Sequence, residues 1–279
     1  MGTCQSGTIS DPGQAKQQQE QDVTNALAKI KHKLIVMSGK GGVGKTSVSV
    51  NLAIALGARG FKVGIMDVDL HGPDVPRMLG IQGMASASEN HKIAPMPYSE
   101  NISAISMEYF MPNKDDAVIW RGPLKHSAIN QFITDIDWGD LDFLIVDSPP
   151  GTGDEPLTVA QAFPNADGVI IVSTPQRVSQ DDCRKAINFA GAVKLPVVGV
   201  IENMSGFICP HCGKETPIFS CGGGEQMATQ MGVPFLGRLP LVPEVVSLCD
   251  SGQSVTAPEA PAAIRDAFNS VVEALTARS

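Results

Sequence analysis

Residues 33–46 have the sequence K-L-I-V-M-S-G-K-G-G-V-G-K-T, in which an apolar run leads directly into a glycine-rich loop. The last eight of these residues satisfy the phosphate-loop pattern G-x-x-x-x-G-K-[ST], and the helix-like residues 46–58 follow. The pattern requires this order of strand, loop and helix, because the loop presents main-chain N–H groups to a phosphate where a helix begins. The segment therefore predicts a nucleotide-binding α/β protein.

The loop offers both main-chain and side-chain ligands to a nucleotide. Its glycines leave room for phosphate oxygens to approach the backbone. The Lys45 ammonium can lie against the β- and γ-phosphates, and the Thr46 hydroxyl can ligate Mg²⁺. We expect the ATP-binding residues of this loop to be Gly39, Lys40, Gly41, Gly42, Val43, Gly44, Lys45 and Thr46.

Further apolar runs indicate that the remaining chain forms an open α/β sheet. Residues 62–66, 143–146, 169–172 and 197–201 do not alternate with polar residues, which is typical of strands buried on both faces of a parallel sheet. Helix-like stretches such as residues 181–193 lie between several of them. We predict a doubly wound, mostly parallel sheet, which binds ligands at the carboxyl ends of its strands.

The N-terminal residues differ from the rest in composition. They include three consecutive glutamines at positions 17–19 and almost no large apolar side chain. Such a segment buries too little surface to offset the entropy lost on ordering. We expect residues 1–24 to be a flexible tail, residues 25–31 to form a short helix, and residues 25–279 to be one ATPase domain with a C-x-x-C insertion near residues 204–224.

Charge and hydropathy exclude some classes of partner. The chain has 21 Lys and Arg against 29 Asp and Glu, a formal net charge of −8, so it has no overall attraction to nucleic acid or anionic lipid. No apolar run reaches about 18 residues, the length of a membrane-spanning helix. The first residues lack the basic and apolar regions of a secretory signal. We therefore expect a cytoplasmic protein that binds neither nucleic acid nor membrane.

Acidic residues end two of the apolar runs. Asp67 and Asp69 end one of them, and alternation along an extended segment points both carboxylates to the same side. One of the two can hold Mg²⁺ through water while the other orients the attacking water, and Asp147 can approach the metal from the side opposite Thr46. The alternative for Asp67 and Asp69 is a turn or helix cap, which Asp commonly provides after a strand.

Two other strand ends carry candidate nucleotide contacts. Residues 148–154, S-P-P-G-T-G-D, are rigid at the prolines and mobile at the glycines, as a switch that senses the γ-phosphate must be; the alternative is a plain loop. Asn203 follows another run, and its amide offers a donor and an acceptor to an adenine edge. Asn is also a common turn residue at the end of a strand.

Cys209 and Cys212 form a C-P-x-C-G turn, in which two thiolates can bind one metal. A zinc site or an iron–sulfur cluster usually takes four protein ligands. The residues alone leave three explanations open. The pair is completed by Cys221 and His211 as structural zinc, acts as a dithiol redox centre, or is completed by the same pair of a second subunit across a two-fold axis.

The second lysine of the loop, Lys40, marks a first resemblance. It resembles the K-G-G-x-G-K-[ST] loop of the family that includes nitrogenase iron protein and the septum-site, partition, arsenite and tail-anchor ATPases. In that family the early lysine reaches the partner's nucleotide across a dimer interface. The resemblance implies a homodimer that encloses its nucleotides.

A combination of motifs resembles a narrower family, the Mrp/Nbp35 ATP-binding iron–sulfur cluster carriers. The resemblance covers about residues 33–255. Its motifs are the phosphate loop, D-V-D-L-H-G-P at residues 67–73, W-R-G-P at 120–123, D-S-P-P-G-T-G-D at 147–154 and C-P-H-C-G at 209–213.

This second resemblance implies an ATPase that holds a [4Fe–4S] cluster between the Cys209 and Cys212 pairs of two subunits and delivers it to apo iron–sulfur proteins. It implies that Asp69 orients the attacking water, that Asp67 lies on the magnesium side and that Asn203 contacts adenine. The implied catalytic residues are Lys40, Lys45 and Asp69, and the implied magnesium residues are Thr46, Asp67 and Asp147. Turnover is expected to be slow, because the motifs suggest no built-in arginine finger.

Two cysteines depart from the family pattern. Cys4 stands where Nbp35-type members have a four-cysteine motif, so the chain resembles the simpler Mrp/ApbC branch and a second cluster is not expected. Cys221 lies where the pattern has no ligand. The alternative class is a partition or positioning ATPase with a structural zinc knuckle; the few cations of residues 261–279 argue against its usual basic membrane helix.

Overall fold

The computed structural model describes residues 12–69, 72–89, 92–110, 122–209 and 211–277. The helices in these ranges are α1 (Pro12–Leu27), α2 (Lys45–Gly57), α3 (Val75–Leu79), α4 (Gly122–Asp135), α5 (Asp154–Ala162), α6 (Arg177–Ala192), α7 (Gly223–Met231), α8 (Glu244–Asp250) and α9 (Ala262–Thr276). The strands are β1 (Ile30–Ser38), β2 (Val63–Asp67), β3 (Ser86–Ala87), β4 (Ile93–Ala94), β5 (Met96–Ser99), β6 (Ile102–Ser106), β7 (Leu141–Asp147), β8 (Gly168–Ser173), β9 (Val197–Glu202), β10 (Phe207–Ile208), β11 (Glu215–Thr216) and β12 (Phe235–Arg238).

One large sheet organises the chain. Its strand order is β12-β9-β8-β1-β7-β2-β6-β5, and every neighbouring pair is parallel except β5 with β6. The order reverses around β1, whose neighbours β7 and β8 come much later in the chain. Ligands of such sheets bind at this switch point, beyond the carboxyl ends of the strands. The prediction of a doubly wound, mostly parallel sheet is confirmed.

The sheet separates two apolar layers. Successive strand side chains point to opposite faces, so Ile35 and Met37 of β1 pack with α1, α4, α5, α6 and α7. Leu34 and Val36 face the other layer, which contains α2, α3, α8 and α9. The helices on both faces explain why the strands show no polar alternation in the sequence.

The N-terminal prediction is wrong for residues 12–24. These residues belong to α1. The helix expected at residues 25–31 is correct only up to Leu27, where α1 ends, because β1 begins at Ile30. Val23 and Leu27 are spaced by one helical turn and are buried in the core. Packing of this narrow apolar stripe against α4 stabilises a helix that its polar composition concealed.

The C-terminal helix uses its apolar face within the fold. α9 packs against α2 and β12, and its buried residues are Ile264, Phe268, Val271, Val272 and Leu275. This apolar stripe is therefore covered by the sheet and its neighbouring helix. No helix in the described ranges is long and apolar enough to cross a bilayer.

Candidate functional site

The phosphate loop and two of the predicted acids meet at the carboxyl edge of the sheet. Asp147 is the register partner of Val36 in β1 and of Asp67 in β2. The loop that follows β1 therefore begins beside both carboxylates. Parallel pairing alone places these residues together, although they are far apart in the sequence.

Backbone geometry requires glycine in the loop. Gly42 and Gly44 have φ of 77° and 82°, values in the left-handed region that glycine adopts without strain. A Cβ on Gly39 would overlap with the main chain of Asp182 in α6. α2 begins directly after Gly44, at Lys45. The loop therefore places its last N–H groups at the start of a helix, where an anion is favoured.

Gly44→Ala is expected to lower the free energy of unfolding of the nucleotide-free protein by about 1–3 kcal/mol. An alanine would have to keep a positive φ, and its Cβ would overlap with the amide of Asn203. Gly41→Ala is the matched control: nothing lies within 4 Å of a Cβ at Gly41, so its change should stay below about 0.5 kcal/mol. Urea unfolding measures both, and equal losses would contradict the argument.

Asp147 is the centre of a buried polar cluster. Its Oδ2 accepts hydrogen bonds from Lys45 Nζ at 2.6 Å and Thr46 Oγ1 at 2.8 Å, and its Oδ1 accepts one from Ser49 Oγ at 2.6 Å. Asp147 is fully buried and Lys45 is only 7% exposed. The structure thus brings together Lys45, Thr46 and Asp147, three predicted site residues. Ser49 was missed by the sequence analysis, because only its position one turn after Lys45 on α2 signals it.

Asp67 is also buried and accepts several hydrogen bonds. Its donors are the main-chain N–H groups of Asp69 at 3.1 Å and Val75 at 3.3 Å and the hydroxyl of Ser106 at 3.2 Å. Burial, and secondly the nearby charge of Asp147, raise the pKa of Asp67 well above its usual range, while Lys45 acts in the opposite direction. A second cation at this site would stabilise both carboxylates.

A cavity of about 260 Å³ opens above the phosphate loop. Lys45, Thr46 and the half-buried Asp69 line it, together with Pro150 of the predicted switch. The structure therefore brings the candidate water-orienting carboxylate to the same cavity as the loop. Lys40 is half-buried and is not among the described residues that line this cavity.

The predicted switch is bonded to the strand before the phosphate loop. Ser148 donates from its N–H and from its hydroxyl to the Val36 carbonyl, at 3.2 and 2.9 Å. The Gly151 N–H donates to the Ser38 carbonyl at 2.8 Å. Residues 148–151 thus follow β1 up to the edge of the phosphate cavity.

A second, largely apolar cavity of about 220 Å³ adjoins the loop. Asn203 lines this cavity, and its amide donates to the Val43 carbonyl of the phosphate loop at 2.9 Å. The rest of the lining is not predicted from the sequence, although the apolar segment directly after β12 is a signal for it. The lining residues in that segment and in α8 are Pro240, Leu241, Val242, Val245, Val246, Cys249 and Asp250.

The cysteine pair lies at the tip of a small hairpin. β10 and β11 are antiparallel, the Cys209 N–H donates to the Lys214 carbonyl at 3.1 Å, and the Gly213 N–H donates to the Cys209 carbonyl at 2.8 Å. Cys209 is half-buried, Cys212 is exposed, and both are free. The N–H of Cys212, and secondly that of His211, lower the pKa of the Cys209 thiol. The hairpin therefore favours a thiolate, the form that binds metal.

Cys221 has different surroundings. It is exposed, and its Sγ lies 3.3 Å from the hydroxyl of Ser205. Within the part of the chain that the structure describes, no three His, Cys, Asp or Glu side chains lie close enough to share a metal ion. The zinc site that would combine Cys209 and Cys212 with His211 and Cys221 is thus not assembled in this structure.

Some of the residues predicted from the sequence lie outside the described residues. They are Cys4, Leu70, His71, Trp120, Arg121 and Pro210.

Comparison with known proteins decides the family. A family model described as ParA, NUBPL iron-transfer P-loop NTPase, matches residues 29–276. The chain belongs to the Mrp/Nbp35 family of P-loop NTPases. This membership confirms the resemblance stated from the motifs.

Relatives of this Mrp/Nbp35 protein have names that agree with the match. An "Iron-sulfur cluster carrier protein" of Methanococcus maripaludis is 47% identical over 86% of this chain and 84% of its own length. A "Cytosolic Fe-S cluster assembly factor NUBP2 homolog" of Dictyostelium discoideum is 49% identical over 80% of this chain and 85% of its own length.

Solved structures similar to this Mrp/Nbp35 protein agree with the fold. A nucleotide-binding protein of Archaeoglobus fulgidus in complex with ADP is 36% identical, with a TM-score of 0.74 over 84% of this chain and 91% of that chain. The Pyrococcus furiosus cell division ATPase MinD is 21% identical, with a TM-score of 0.65 over 89% of this chain and 99% of that chain. The second likeness concerns the fold alone.

Proposed function

We propose that this protein is a slow ATPase that carries a [4Fe–4S] cluster between two copies of the chain and delivers it to apo iron–sulfur proteins. One observation carries the proposal: the same chain has a phosphate loop beside buried acids and a hairpin that presents two free thiols, one with a lowered pKa. The names of the M. maripaludis and D. discoideum relatives point to the same cargo.

ATP would occupy both cavities. Its phosphates would lie on residues 39–46, and its base would enter the apolar cavity beside Asn203. Lys45 would contact the β- and γ-phosphates, and Asp69 would orient the attacking water. Lys40 is not among the described residues that line the phosphate cavity of its own chain, which is compatible with a role at the partner's nucleotide across the dimer. The complex of the A. fulgidus protein with ADP supports the nucleotide assignment.

The donor set at the loop fits a hydrated Mg²⁺ ion. Asp67 and Asp147 are two buried carboxylates; Lys45 pairs with Asp147 and its charge also acts on Asp67, and Thr46 adds a hydroxyl oxygen. Oxygen ligands of this kind suit Mg²⁺. A phosphate gives Lys45 a new partner, which releases Asp147 from their ion pair. When bound, the ion would neutralise charge that develops on the phosphates.

The hairpin supplies two thiol ligands per chain, and a [4Fe–4S] cluster takes four. Two copies related by a two-fold axis would supply all four, because the axis brings equivalent residues together. Soft thiolates select iron–sulfur clusters over hard cations such as Mg²⁺. We propose that hydrolysis changes the arrangement of the two copies and so governs loading or release. The D. discoideum relative is named as cytosolic, and we propose the same compartment here.

Cluster transfer tests this function. After anaerobic reconstitution with iron and sulfide, the protein is expected to activate an apo iron–sulfur enzyme that requires a [4Fe–4S] cluster. Cys209→Ala with Cys212→Ala should abolish the activation. Cys221→Ala is the matched control. Cys221 is also an exposed, free thiol, but it lies beside Ser205 and not in the hairpin, so this variant should transfer the cluster normally. Activation by the double variant, or none by the unaltered protein, would contradict the proposal.

A further inference from the structure

Glu202 has no role in the function proposed above, yet it is completely buried at the carboxyl end of β9. Its Oε1 accepts the Ser205 hydroxyl at 2.5 Å and the Gly222 N–H at 2.8 Å, and its Oε2 accepts the Gly224 N–H. Arg238 Nε lies 4.0 Å from Oε1. Burial of a carboxylate is costly unless it is well bonded, so this set of donors indicates a carboxylate held in one position.

The donors to Glu202 come from both ends of the segment that carries the cysteines. Ser205 lies where the chain leaves the sheet towards Cys209, and Gly222 lies where it returns to begin α7. A single carboxylate thus joins the two ends of residues 205–222. We call Glu202 with its three hydrogen-bonded donors, Ser205, Gly222 and Gly224, the clasp.

The segment that leaves the clasp is also paired with the wall of the apolar cavity. Leu241 lines that cavity, and the main chain of Leu239 and Leu241 bonds residues 202–208. Four main-chain hydrogen bonds form this ladder: Leu239 N–H to the Glu202 carbonyl at 2.8 Å, Ser205 N–H to Leu239 at 2.9 Å, Leu241 N–H to Gly206 at 2.7 Å and Ile208 N–H to Leu241 at 3.4 Å.

Asn203 completes the connection on the nucleotide side. It follows Glu202 directly, donates to the Val43 carbonyl of the phosphate loop and lines the same cavity. A base in this cavity would therefore contact residues on each side of the ladder. The last residue of the ladder, Ile208, is the neighbour of Cys209. This is a continuous set of bonded groups from the nucleotide cavity to a thiol.

We propose that Glu202 is a positioning residue that makes the geometry of the cysteine hairpin depend on the nucleotide in the neighbouring cavity. The proposal rests on the proposed function only for the identity of the occupant, a nucleotide. With both ends of residues 205–222 fixed to one carboxylate, ordering of the ladder at Leu241 orders the hairpin as well. Without the hydrogen bonds of the clasp, the chain at Ser205 would be free to move, and ordering of the ladder at Leu241 would not order Cys209.

A merely structural role has a different consequence. A carboxylate at the N-terminus of α7 stabilises that helix through its N–H groups and dipole. Loss of this stabilisation alone would lower the melting temperature and leave the response of the hairpin to nucleotide unchanged. The measurement must therefore follow the response of Cys209 to nucleotide as well as stability.

The test uses the full-length protein without a cluster and a maleimide as the thiol probe. Alkylation rates are resolved for each cysteine by peptide mass spectrometry, with and without ADP and Mg²⁺, and nucleotide binding is measured separately by calorimetry. Saturating ADP is expected to slow alkylation of Cys209 at least about fivefold in the unaltered protein. In Glu202→Gln, whose amide group faces a main-chain donor, the slowing should fall below about twofold while ADP still binds.

Two further variants make the result decisive. Glu225→Gln is the matched control, because Glu225 is an exposed glutamate of α7 that pairs with Arg238, and it should retain the full response. Ser205→Ala removes the exit bond of the clasp, together with the contact to Cys221, and keeps both glycine N–H donors. It carries the test if Glu202→Gln fails to fold, and it should lose most of the response. An unchanged response in either clasp variant would overturn the inference, as would an unaltered protein that binds ADP with no effect on Cys209. Failure of the unaltered protein to bind ADP would instead refute the proposed function.

Discussion

Replacement of Lys45 by methionine is expected to abolish ATP hydrolysis and also to destabilise the nucleotide-free protein. The Lys45 ammonium is 2.6 Å from Asp147 Oδ2, and both side chains are buried. Without it, Asp147 becomes a buried charge that lacks its counter-ion, a defect that costs about 3–5 kcal/mol. The loss of a charge from the phosphates should lower kcat at least about 100-fold. Urea unfolding and phosphate release measure the two effects.

The double variant Lys45→Met with Asp147→Asn separates stability from activity. It removes the uncompensated charge, so much of the lost stability should return, while hydrolysis stays absent. Lys40→Met is the control for stability, because the hydrogen-bonded partners of Asp147 are Lys45, Thr46 and Ser49. A single Lys45→Met variant as stable as the unaltered protein would contradict the buried ion pair. A double variant whose loss of unfolding free energy equals the sum of the losses in Lys45→Met and Asp147→Asn would also contradict it.

A mixture of unaltered and altered chains should lose a larger fraction of its cluster than the fraction of chains that are altered. If a cluster needs the thiols of both copies, a dimer of one unaltered chain and one Cys209→Ala, Cys212→Ala chain cannot hold it. After equal amounts of the two chains have exchanged subunits, iron content is expected to fall to about a quarter of the unaltered value, because about a quarter of random pairs contain two unaltered chains. Iron and acid-labile sulfide are measured under anaerobic conditions.

A different stoichiometry gives a different number. If each chain held its own metal through Cys209 and Cys212, the mixture would retain about half of the iron, in proportion to the unaltered chains. The control is the same mixture with Cys221→Ala chains, which should retain the full content. A value of about half with a normal control would exclude a cluster shared between copies.

Local sequence patterns predicted the parts of the site that depend on local chemistry. The phosphate loop, Asp67, Asp69 and Asp147 are predicted as site residues because glycines, a lysine and strand-ending acids have few other reasons to follow buried strands. Parallel pairing then fixed where they meet, since Asp67 and Asp147 are register partners.

The remainder depends on contacts between distant residues. Ser49 and Ser106 bond Asp147 and Asp67, yet a serine in a helix or strand has no distinctive pattern. The apolar cavity combines Asn203 with residues of the segment after β12, which only the sheet brings together. The role of Glu202 could not be predicted for the same reason, because its hydrogen-bond donors lie on both sides of the cysteine hairpin. Helix α1 was missed because two buried residues stabilise an otherwise polar segment.

The stoichiometry of the bound cluster distinguishes one that is shared between two copies of the chain from a metal site within each chain. The anaerobically purified protein should be weighed intact by native mass spectrometry and analysed for iron and sulfide. We expect a dimer with about four iron ions and about four sulfides per pair of chains, which are lost when Cys209 and Cys212 are replaced. A monomer that retains a metal ion without sulfide, with or without nucleotide, would contradict the shared cluster.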